Sequence, residues 1–186
     1  MPRVLLLIAS VRTGRVGAAV GAWVEDRLAA DGGFEIDRVD LAELRLPLMD
    51  EPHHPKLQQY VGEPARAWSA RVAAADAFVF VMPEYNHSYT APLKNALDYL
   101  VHEWAWKPVG LVAYGGLAGG ARAVVALEPV LANLRLIEAG PAVELAWVHE
   151  HLEATEFLPT DRHDRALVTQ IEALKRLTER TPALRG

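Results

Sequence analysis

The sequence predicts an α/β protein, a doubly wound sheet of five parallel strands with helices on both faces. Three short and almost entirely apolar runs, at residues 4–9, 77–82 and 108–114, have the composition of strands that are buried on both faces. Segments with apolar residues at helical spacing separate these runs, and that alternation is typical of parallel sheets with right-handed crossovers. An unusual loop follows each run, and ligands of such folds bind beyond the carboxyl ends of the strands.

The first half of the chain begins with the strand at residues 4–9. A loop at residues 10–17 leads into a helix that ends near Gly32, and the alternating run at residues 34–39 predicts a second strand, nearer an edge. Four prolines interrupt residues 41–64, which we predict to be a loop with at most one short helix. An alanine-rich helix is expected over residues 65–75.

The second half of the chain continues the alternation after the strand at residues 77–82. Its predicted elements are, in order, a helix through Leu100, the strand at residues 108–114, a helix from near Ala121, a short strand within residues 137–145, an irregular tail over residues 147–159 and an amphipathic closing helix through residues 167–177. Pro129 should kink or shorten its helix, because proline removes the hydrogen bond to Val125.

Composition limits the classes of function. A length of 186 residues favours one domain over residues 1–186, and a net charge of −5 argues against a broad nucleic-acid interface. Cysteine is absent, which excludes disulfides, thiolate catalysis and zinc–cysteine sites. The apolar run at residues 4–8 is too short for a signal peptide, and no stretch reaches the roughly 20 residues that span a bilayer. We therefore expect no membrane contact and a cytoplasmic location.

The loop at residues 10–17 has the features of a phosphate site. Amides at a helix start favour an anion, and Ser10 and Thr13 add hydroxyl donors while Arg12 and Arg15 add charge. The loop lacks both G-x-G-x-x-G and G-x-x-x-x-G-K-[ST], so neither a Rossmann dinucleotide site nor a P-loop is supported. Taken alone, a solvated helix start with two surface arginines explains the loop equally well.

The loops at residues 83–88 and 115–120 suggest a flat ligand. The first presents Tyr85 and Asn86 behind a rigid proline, although its tyrosines could simply pack the loop. Glu84 is not expected to be a proton donor, because such carboxylates are more often solvated or paired. The second loop holds four glycines in six residues, more than the one or two that a tight turn needs, and glycine lets the backbone approach a ligand closely.

No metal site is predicted. His53-His54 and His149-Glu150-His151 lack the H-E-x-x-H spacing that places two ligands on one helix face. We interpret these histidines as ordinary surface or interface residues. The five tryptophans are most simply residues of the core or of an interface.

Together, the three loops resemble those of the NADPH-dependent FMN reductases of flavodoxin-like fold, a family that includes quinone, chromate and azo-dye reductases. Residues 9–15 resemble the family's G-S-x-R phosphate loop, residues 83–98 its P-E-Y-N…P-x-x-L-K-N-A-I-D signature, and residues 114–123 its third loop. The similarity covers most of residues 3–145. Ala9 stands where the family usually has glycine, and Val16 where many members have a second serine.

The resemblance implies a flavodoxin-like sheet of strand order 2-1-3-4-5 and non-covalently bound FMN. The implied phosphate contacts are Ser10, Arg12, Arg15 and the amides of Val16 and Gly17. The implied contacts in the other two loops are Pro83, Glu84, Tyr85, Asn86, Ser88, Gly115 and Gly116. No side chain is expected to be catalytic, because the cofactor carries the chemistry.

The resemblance also implies an activity: hydride transfer from NADPH or NADH to FMN, and then to a small acceptor such as a quinone. Family members are commonly dimers or tetramers, so we expect a homodimer or homotetramer with residues 99–106 as the interface patch. Two alternatives stay open. A flavodoxin-like electron carrier would bind FMN but not be reduced by NADPH, and a non-enzymatic binding module would fold normally without binding FMN.

Overall fold

Parallel strands form the centre of the fold. The computed structural model describes residues 1–184. Its strands are β1 (Arg3–Ile8), β2 (Glu35–Asp40), β3 (Ala77–Pro83), β4 (Pro108–Tyr114), β5 (Ile137–Glu138), β6 (Val143–Leu145), β7 (Leu152–Glu153) and β8 (Glu156–Phe157). The main sheet has the order β2-β1-β3-β4-β5, with all pairs parallel, which confirms the predicted flavodoxin-like topology.

Within residues 1–184, six α-helices connect and cover the strands. They are α1 (Gly17–Asp31), α2 (Leu41–Leu44), α3 (Glu63–Ala73), α4 (Ala91–Asp98), α5 (Ala121–Leu134) and α6 (Asp161–Arg180), with 3-10 turns at Pro55–Leu57, Val148–His151 and Thr181–Leu184. Their ends follow local chemistry. Gly32 ends α1 in the left-handed conformation at φ 69°, and the Thr90 hydroxyl accepts a hydrogen bond from the Leu93 amide at the start of α4.

The core has two layers, one on each face of the sheet. β3 and β4 are buried along their whole length, as their apolar composition predicts. One layer packs α3, α4 and α5 around Trp68, Trp104, Phe78 and Phe80, and the other packs α1 and α6. None of the helices over residues 1–184 is both long enough and apolar enough to cross a membrane.

Three predictions about the second half need correction. The strand expected within residues 137–145 is two short pieces, β5 and β6, which both pair with β4 on either side of Gly140, a residue in the left-handed conformation. The tail expected to be irregular contains the hairpin of β7 and β8. Pro129 does not shorten α5, because it and Val125 lie on the exposed side, where water can replace the missing hydrogen bond, and a kink at Pro129 stays a prediction.

The region between β2 and α3 is mostly loop, as predicted, but its boundary differs. The predicted loop reaches Pro64, whereas α3 already begins at Glu63. Proline in the first helical turn lacks an amide that would be unpaired in any case, so it does not end a helix there. The loop contains α2 and one 3-10 turn.

The expected interface patch at residues 99–106 is largely interior. Tyr99 is 2% exposed, and Trp104 is fully buried against the rings of Trp68 and Phe78. Trp106 is the tryptophan of this segment that reaches the surface, where the Arg135 guanidinium lies 5.6 Å from its ring centre. The sequence could not separate core from surface here, because tryptophan suits both.

Lys107 is a buried cation that the sequence analysis did not single out. It is 6% exposed, and its Nζ donates hydrogen bonds to the carbonyls of Val72 (2.9 Å) and Ala73 (3.0 Å). These carbonyls lie at the C-terminal end of α3, where backbone acceptors lack partners within the helix and the helix dipole favours a cation. Lys107 therefore joins α3 to the start of β4.

We expect Lys107→Met to lower the free energy of unfolding by about 1–3 kcal/mol, because the carbonyls of Val72 and Ala73 both lose a charged donor at the end of α3. Lys56→Met is the matched control: Lys56 is exposed, so its replacement should change stability by less than about 0.5 kcal/mol. Denaturant unfolding of the cofactor-free protein measures both. Equal stability of the two variants would contradict the assigned role.

Candidate functional site

Three loops meet at the carboxyl edge of the sheet because the strands before them are neighbours. β1, β3 and β4 are adjacent, Ile8 pairs with Val81, and Pro83 pairs with Tyr114. The first loop (residues 9–16), the second loop (residues 84–90) and the third loop (residues 115–120) therefore begin at nearly the same level. This is the position at which doubly wound sheets bind their ligands.

The first loop is attached to the second by buried hydrogen bonds. The Ala9 amide donates to the Val81 carbonyl at 2.9 Å, which extends the β1–β3 pairing by one residue. The Thr90 hydroxyl donates to the Ala9 carbonyl at 2.9 Å, and both residues are buried. Thr90 thus holds the start of α4 against the loop that precedes α1.

Two buried hydroxyl groups at this point have no hydrogen-bond partner among the described residues. They belong to Ser10, which is fully buried, and Tyr114, which is 4% exposed. A Cβ atom added to Gly17 would lie 2.1 Å from Ser10 Oγ and 2.6 Å from the Tyr114 hydroxyl, so glycine is required beside them. Buried polar groups normally have partners, and these two are therefore available to a bound group.

Tyr114 is a phenol held in its neutral form. Burial raises the pKa of Tyr114 far above its ordinary value, and the charge of Tyr85 raises it further, while Ser10, Arg15 and Arg12 act in the opposite direction. A neutral phenol can donate a hydrogen bond to an anionic oxygen.

The backbone of the first loop offers further donors. No described residue accepts a hydrogen bond from the amides of residues 11–14, or from those of Val16 and Gly17. These amides precede and begin α1, where the helix dipole favours negative charge. The open amides and the buried hydroxyl of Ser10 fit a phosphate group.

The two arginines of the first loop are placed differently. Arg15 donates to the Ser10 carbonyl at 3.1 Å and to Asp40 Oδ2 at 2.7 Å, and the Asp40 side chain is 1% exposed. Arg15 thus fastens the loop to the end of β2. Arg12 is exposed and forms no ion pair with a described residue. A direct contact of either arginine with phosphate stays a prediction.

The second loop makes a tight turn. The Tyr85 amide donates to the Ser88 carbonyl at 2.9 Å, and the Ser88 amide donates back at 3.0 Å. Asn86 and His87 have φ values of 50° and 66°, which a type I′ turn requires at both central positions. The turn exposes Asn86 and leaves the Tyr85 ring 39% exposed, while Ser88 is half-buried and Pro83 is buried as the last residue of β3.

An ion pair joins the second loop to the helix after the third. Arg122 donates to Glu84 through its Nε at 2.5 Å and its backbone amide at 3.2 Å. The Glu84 side chain is only 7% exposed. The Nη1 atom of Arg122 also lies 2.8 Å from His87 Nε2. The guanidinium therefore contacts the second loop both before the turn, at Glu84, and within it, at His87. Glu84 is therefore a structural partner of Arg122, and we assign it no proton transfer.

The third loop uses its glycines for two purposes. Gly119 and Gly120 have φ values of 60° and 96°, and a Cβ on Gly120 would lie 2.5 Å from the Cβ of Ala113. The turn therefore requires glycine at both of these positions. Gly116 has no atom within 4 Å of its Cβ position, so its surface is open to a ligand. The carbonyls of Gly115 and Gly116 accept hydrogen bonds from Val148 and Trp147, at 3.1 and 3.0 Å.

Five residues that organise the site were not predicted from the sequence: Asp40, His87, Thr90, Tyr114 and Arg122. Thr90, Tyr114 and Arg122 lie in or beside the quoted motifs and could have been noticed. The partnership of Arg15 with Asp40 joins residues 25 positions apart and has no local signal. The histidine clusters lie elsewhere, and residues 1–184 contain no group of three or more His, Cys, Asp or Glu side chains arranged to hold a metal ion.

The strand order and the three loops that meet at the carboxyl edge of the sheet define a class, namely flavodoxin-like α/β proteins. The model of the NADPH-dependent FMN reductase family matches residues 2–150. The chain therefore belongs to the NADPH-dependent FMN reductase family, which confirms the resemblance and the predicted class of oxidoreductase.

Similar proteins agree with this assignment. An NAD(P)H-dependent FMN reductase of Schizosaccharomyces pombe is 42% identical over 121 residues, 64% of this chain and 60% of that protein. An NADPH:quinone oxidoreductase of Arabidopsis thaliana is 32% identical over 124 residues, 65% of this chain and 59% of that protein. Both alignments thus span about 60% of the relative.

A solved structure supports the fold over nearly the whole chain. FerB, a flavoenzyme NAD(P)H:(acceptor) oxidoreductase from Paracoccus denitrificans, superimposes with a TM-score of 0.73 at 21% identity, covering 97% of this chain and 99% of that one.

We expect Ser10→Ala to weaken FMN binding by roughly tenfold while leaving the cofactor-free protein equally stable. The Ser10 hydroxyl has no hydrogen-bond partner of normal geometry among residues 1–184, so its loss removes mainly a contact with the ligand. Quenching of FMN fluorescence gives the affinity, and denaturant unfolding gives the stability. A stability loss with unchanged affinity would show that the hydroxyl serves the fold instead.

We expect Arg122→Met to weaken FMN binding severalfold, because the second loop loses its charge-assisted attachment to α5. Hydrogen exchange at residues 84–88 should become faster. Arg135→Met is the control, since Arg135 lies over Trp106 on the surface, away from the three loops. Slow exchange at residues 84–88 in Arg122→Met, with FMN affinity unchanged, would disprove the attachment.

Proposed function

We propose that the protein is an FMN-dependent NAD(P)H oxidoreductase that passes electrons through bound FMN to a quinone-like or other small acceptor. The observation that carries this proposal is the pair of buried, unpartnered hydroxyls of Ser10 and Tyr114 beneath the open amides of the first loop. Bound FMN supplies two-electron chemistry: a hydride from NAD(P)H reduces it, and two electrons with two protons then convert a quinone to its hydroquinone.

The protein's part is to bind and orient the cofactor. The amides of the first loop and the Ser10 hydroxyl would hold the phosphate. Tyr85, Asn86 and the open backbone at Gly116 border the space between the second and third loops, where the ring would lie. No side chain in this assignment has to transfer a proton to the substrate, in keeping with Glu84 being paired with Arg122.

We propose the electron acceptor only as a class of small molecule, and the assembly only as a homodimer or homotetramer. A quinone is favoured because a relative is named an NADPH:quinone oxidoreductase. NADPH and NADH both remain candidate donors. We also propose a homodimer or homotetramer in the cytoplasm, but the apolar segment first expected to form the interface is mainly core, so its surface is not assigned.

We expect the FMN-loaded protein to lose its oxidised-flavin absorption when NADPH is added without oxygen, and to recover it when a quinone follows. A flavin that binds but stays oxidised with both NADPH and NADH would favour the electron carrier. A folded protein that binds no FMN would favour the non-enzymatic module. Either result would overturn the proposed activity.

A further inference from the structure

The third loop is held by a short stretch of backbone that starts at the end of β6, which we call the support segment (residues 145–148). Four backbone hydrogen bonds of 3.0–3.2 Å join it to the third loop: Leu145 N to Gly119 O, Gly115 N to Leu145 O, Trp147 N to Gly116 O and Val148 N to Gly115 O. Trp147 has a φ of 51°, a conformation that costs energy for a bulky residue. The support segment therefore depends on its neighbours to keep this shape.

The support segment leads directly to a pair of histidines. Val148 begins the 3-10 turn that ends at His151. The ring of His151 lies edge-on to the ring of His163 in the first turn of α6, with ring centres 4.9 Å apart at an angle of 82°. Both rings pack on Phe157, at 6.2 and 5.9 Å between centres. The two histidines and residues 117–119 of the third loop line one cavity of about 450 Å³, so the pair lies close to the loop.

His163 also completes the cap of α6. The Thr160 hydroxyl accepts a hydrogen bond from the His163 amide at 3.3 Å, and His163 Nδ1 accepts one from the Thr160 amide at 3.2 Å. In such a capping box the second acceptor is normally Glu or Gln. Nδ1 can accept only while it carries no proton, whereas an imidazolium has a proton on both nitrogens. The complete cap therefore requires neutral His163.

The surroundings of His163 oppose a positive charge on its ring. Burial lowers the pKa of His163 below its ordinary value, and the charges of His151 and Arg162 lower it further. Both of these residues line the same cavity as His163. A proton on His163 would thus place one cation beside a guanidinium and a second titratable imidazole.

The acidic groups near His163 do not reverse this preference. Asp164 raises the pKa of His163, but less than the other causes lower it, and its carboxylate already accepts two hydrogen bonds from Arg27, at 2.8 and 2.9 Å. Glu144 of β6 lines the same cavity, and Asp161 lies in the same helical turn. Both are exposed, so water and salt screen their charges.

We propose that His163 is a positioning residue for the third loop and acts only in its neutral form, so that acidification loosens the flavin site. The inference rests on the proposed function, because it assigns a regulation by protons to that same site. A proton on His163 breaks its hydrogen bond with the Thr160 amide and sets the ring against His151 and Arg162. The turn that ends at His151 then loses its packing, and the support segment loses the neighbour that fixes it.

The direction of the pH dependence follows from the lowered pKa of His163. Unfolded histidine takes up a proton near pH 6.5, whereas the folded protein protonates His163 only at lower pH. The unfolded state therefore binds more protons in this window, and stability falls with pH. The contribution of His163 is complete above about pH 6.5 and is lost as the pH falls through its folded pKa.

The test replaces His163 with a residue that can cap but cannot titrate. His163→Gln supplies the acceptor oxygen of an ordinary capping box, so at about pH 8 its unfolding equilibrium constant should match that of the wild type. Between about pH 8 and about pH 5.5 the wild-type constant should rise about fivefold more than that of the variant. Denaturant unfolding of the cofactor-free proteins measures both. His149→Gln is the matched control, since His149 is an exposed histidine of the same turn, and it should follow the wild type.

Two further readouts report on the third loop itself. At about pH 5.5 the amides of residues 145–148 should exchange faster in the wild type than in His163→Gln, and the variant should bind FMN about threefold more tightly, because a loose loop must be ordered on binding. At about pH 8 the two proteins should agree. The FMN phosphate also titrates in this range, but it is common to both proteins and cancels in the ratio. His151→Gln should remove part of the pH dependence, since the cap at His163 still titrates.

These readouts separate this proposal from the proposed activity, because none of them uses NADPH, and unfolding and exchange need no flavin. Failure of NADPH to reduce the FMN-loaded wild type would overturn the activity and leave them intact. Equal pH dependence of unfolding in the wild type and His163→Gln would overturn the role of neutral His163. A reduced pH dependence of unfolding, with exchange at residues 145–148 and FMN affinity the same in both proteins, would make His163 a cap of α6 alone and would overturn the positioning role.

Discussion

The register of three adjacent parallel strands is the constraint on which the site depends. β1, β3 and β4 bring their following loops to one edge only because Ile8 stays level with Val81, and Pro83 with Tyr114. A slip of one residue would turn every side chain of a strand to the opposite face. β3 and β4 are buried on both faces, so a slip would exchange the side chains that fit into two close-packed layers, and this packing holds the register. The packing of the central strands thus determines where the three loops lie at the carboxyl edge of the sheet.

The polar groups of the site divide into those that serve the protein and those that remain for a ligand. Arg15 is paired with Asp40, Glu84 with Arg122, and Thr90 with the Ala9 carbonyl. These contacts join the loops to one another and to the neighbouring helices. The hydroxyls of Ser10 and Tyr114, and the amides of residues 11–14, Val16 and Gly17, have no such partners within residues 1–184. A bound phosphate would satisfy several of them at once, so folding prepares the site and the ligand completes it.

The sequence predicted those features that a local pattern determines. Apolar runs identified β1, β3 and β4, glycine marked the end of α1, and the alternation of strand and helix predicted the topology. It could not foresee that Arg15 would pair with Asp40, because the two residues lie 25 positions apart and no local pattern shows which way their side chains turn. Nor could it tell that Trp104 is core and Trp106 surface, since tryptophan suits both environments. The interruption between β5 and β6 was missed because so few residues on each side carry a strand pattern.

The central claim is that the first loop anchors the cofactor through its phosphate. The most direct measurement compares the dissociation constants of FMN and riboflavin for the wild-type protein at one salt concentration, since the two ligands share the ring system and differ by the phosphate. The account predicts that FMN binds at least about a hundredfold more tightly, because open amides and a buried hydroxyl lose their partner when riboflavin binds. Equal affinities would contradict it, and the loop before α1 would then be an ordinary helix start.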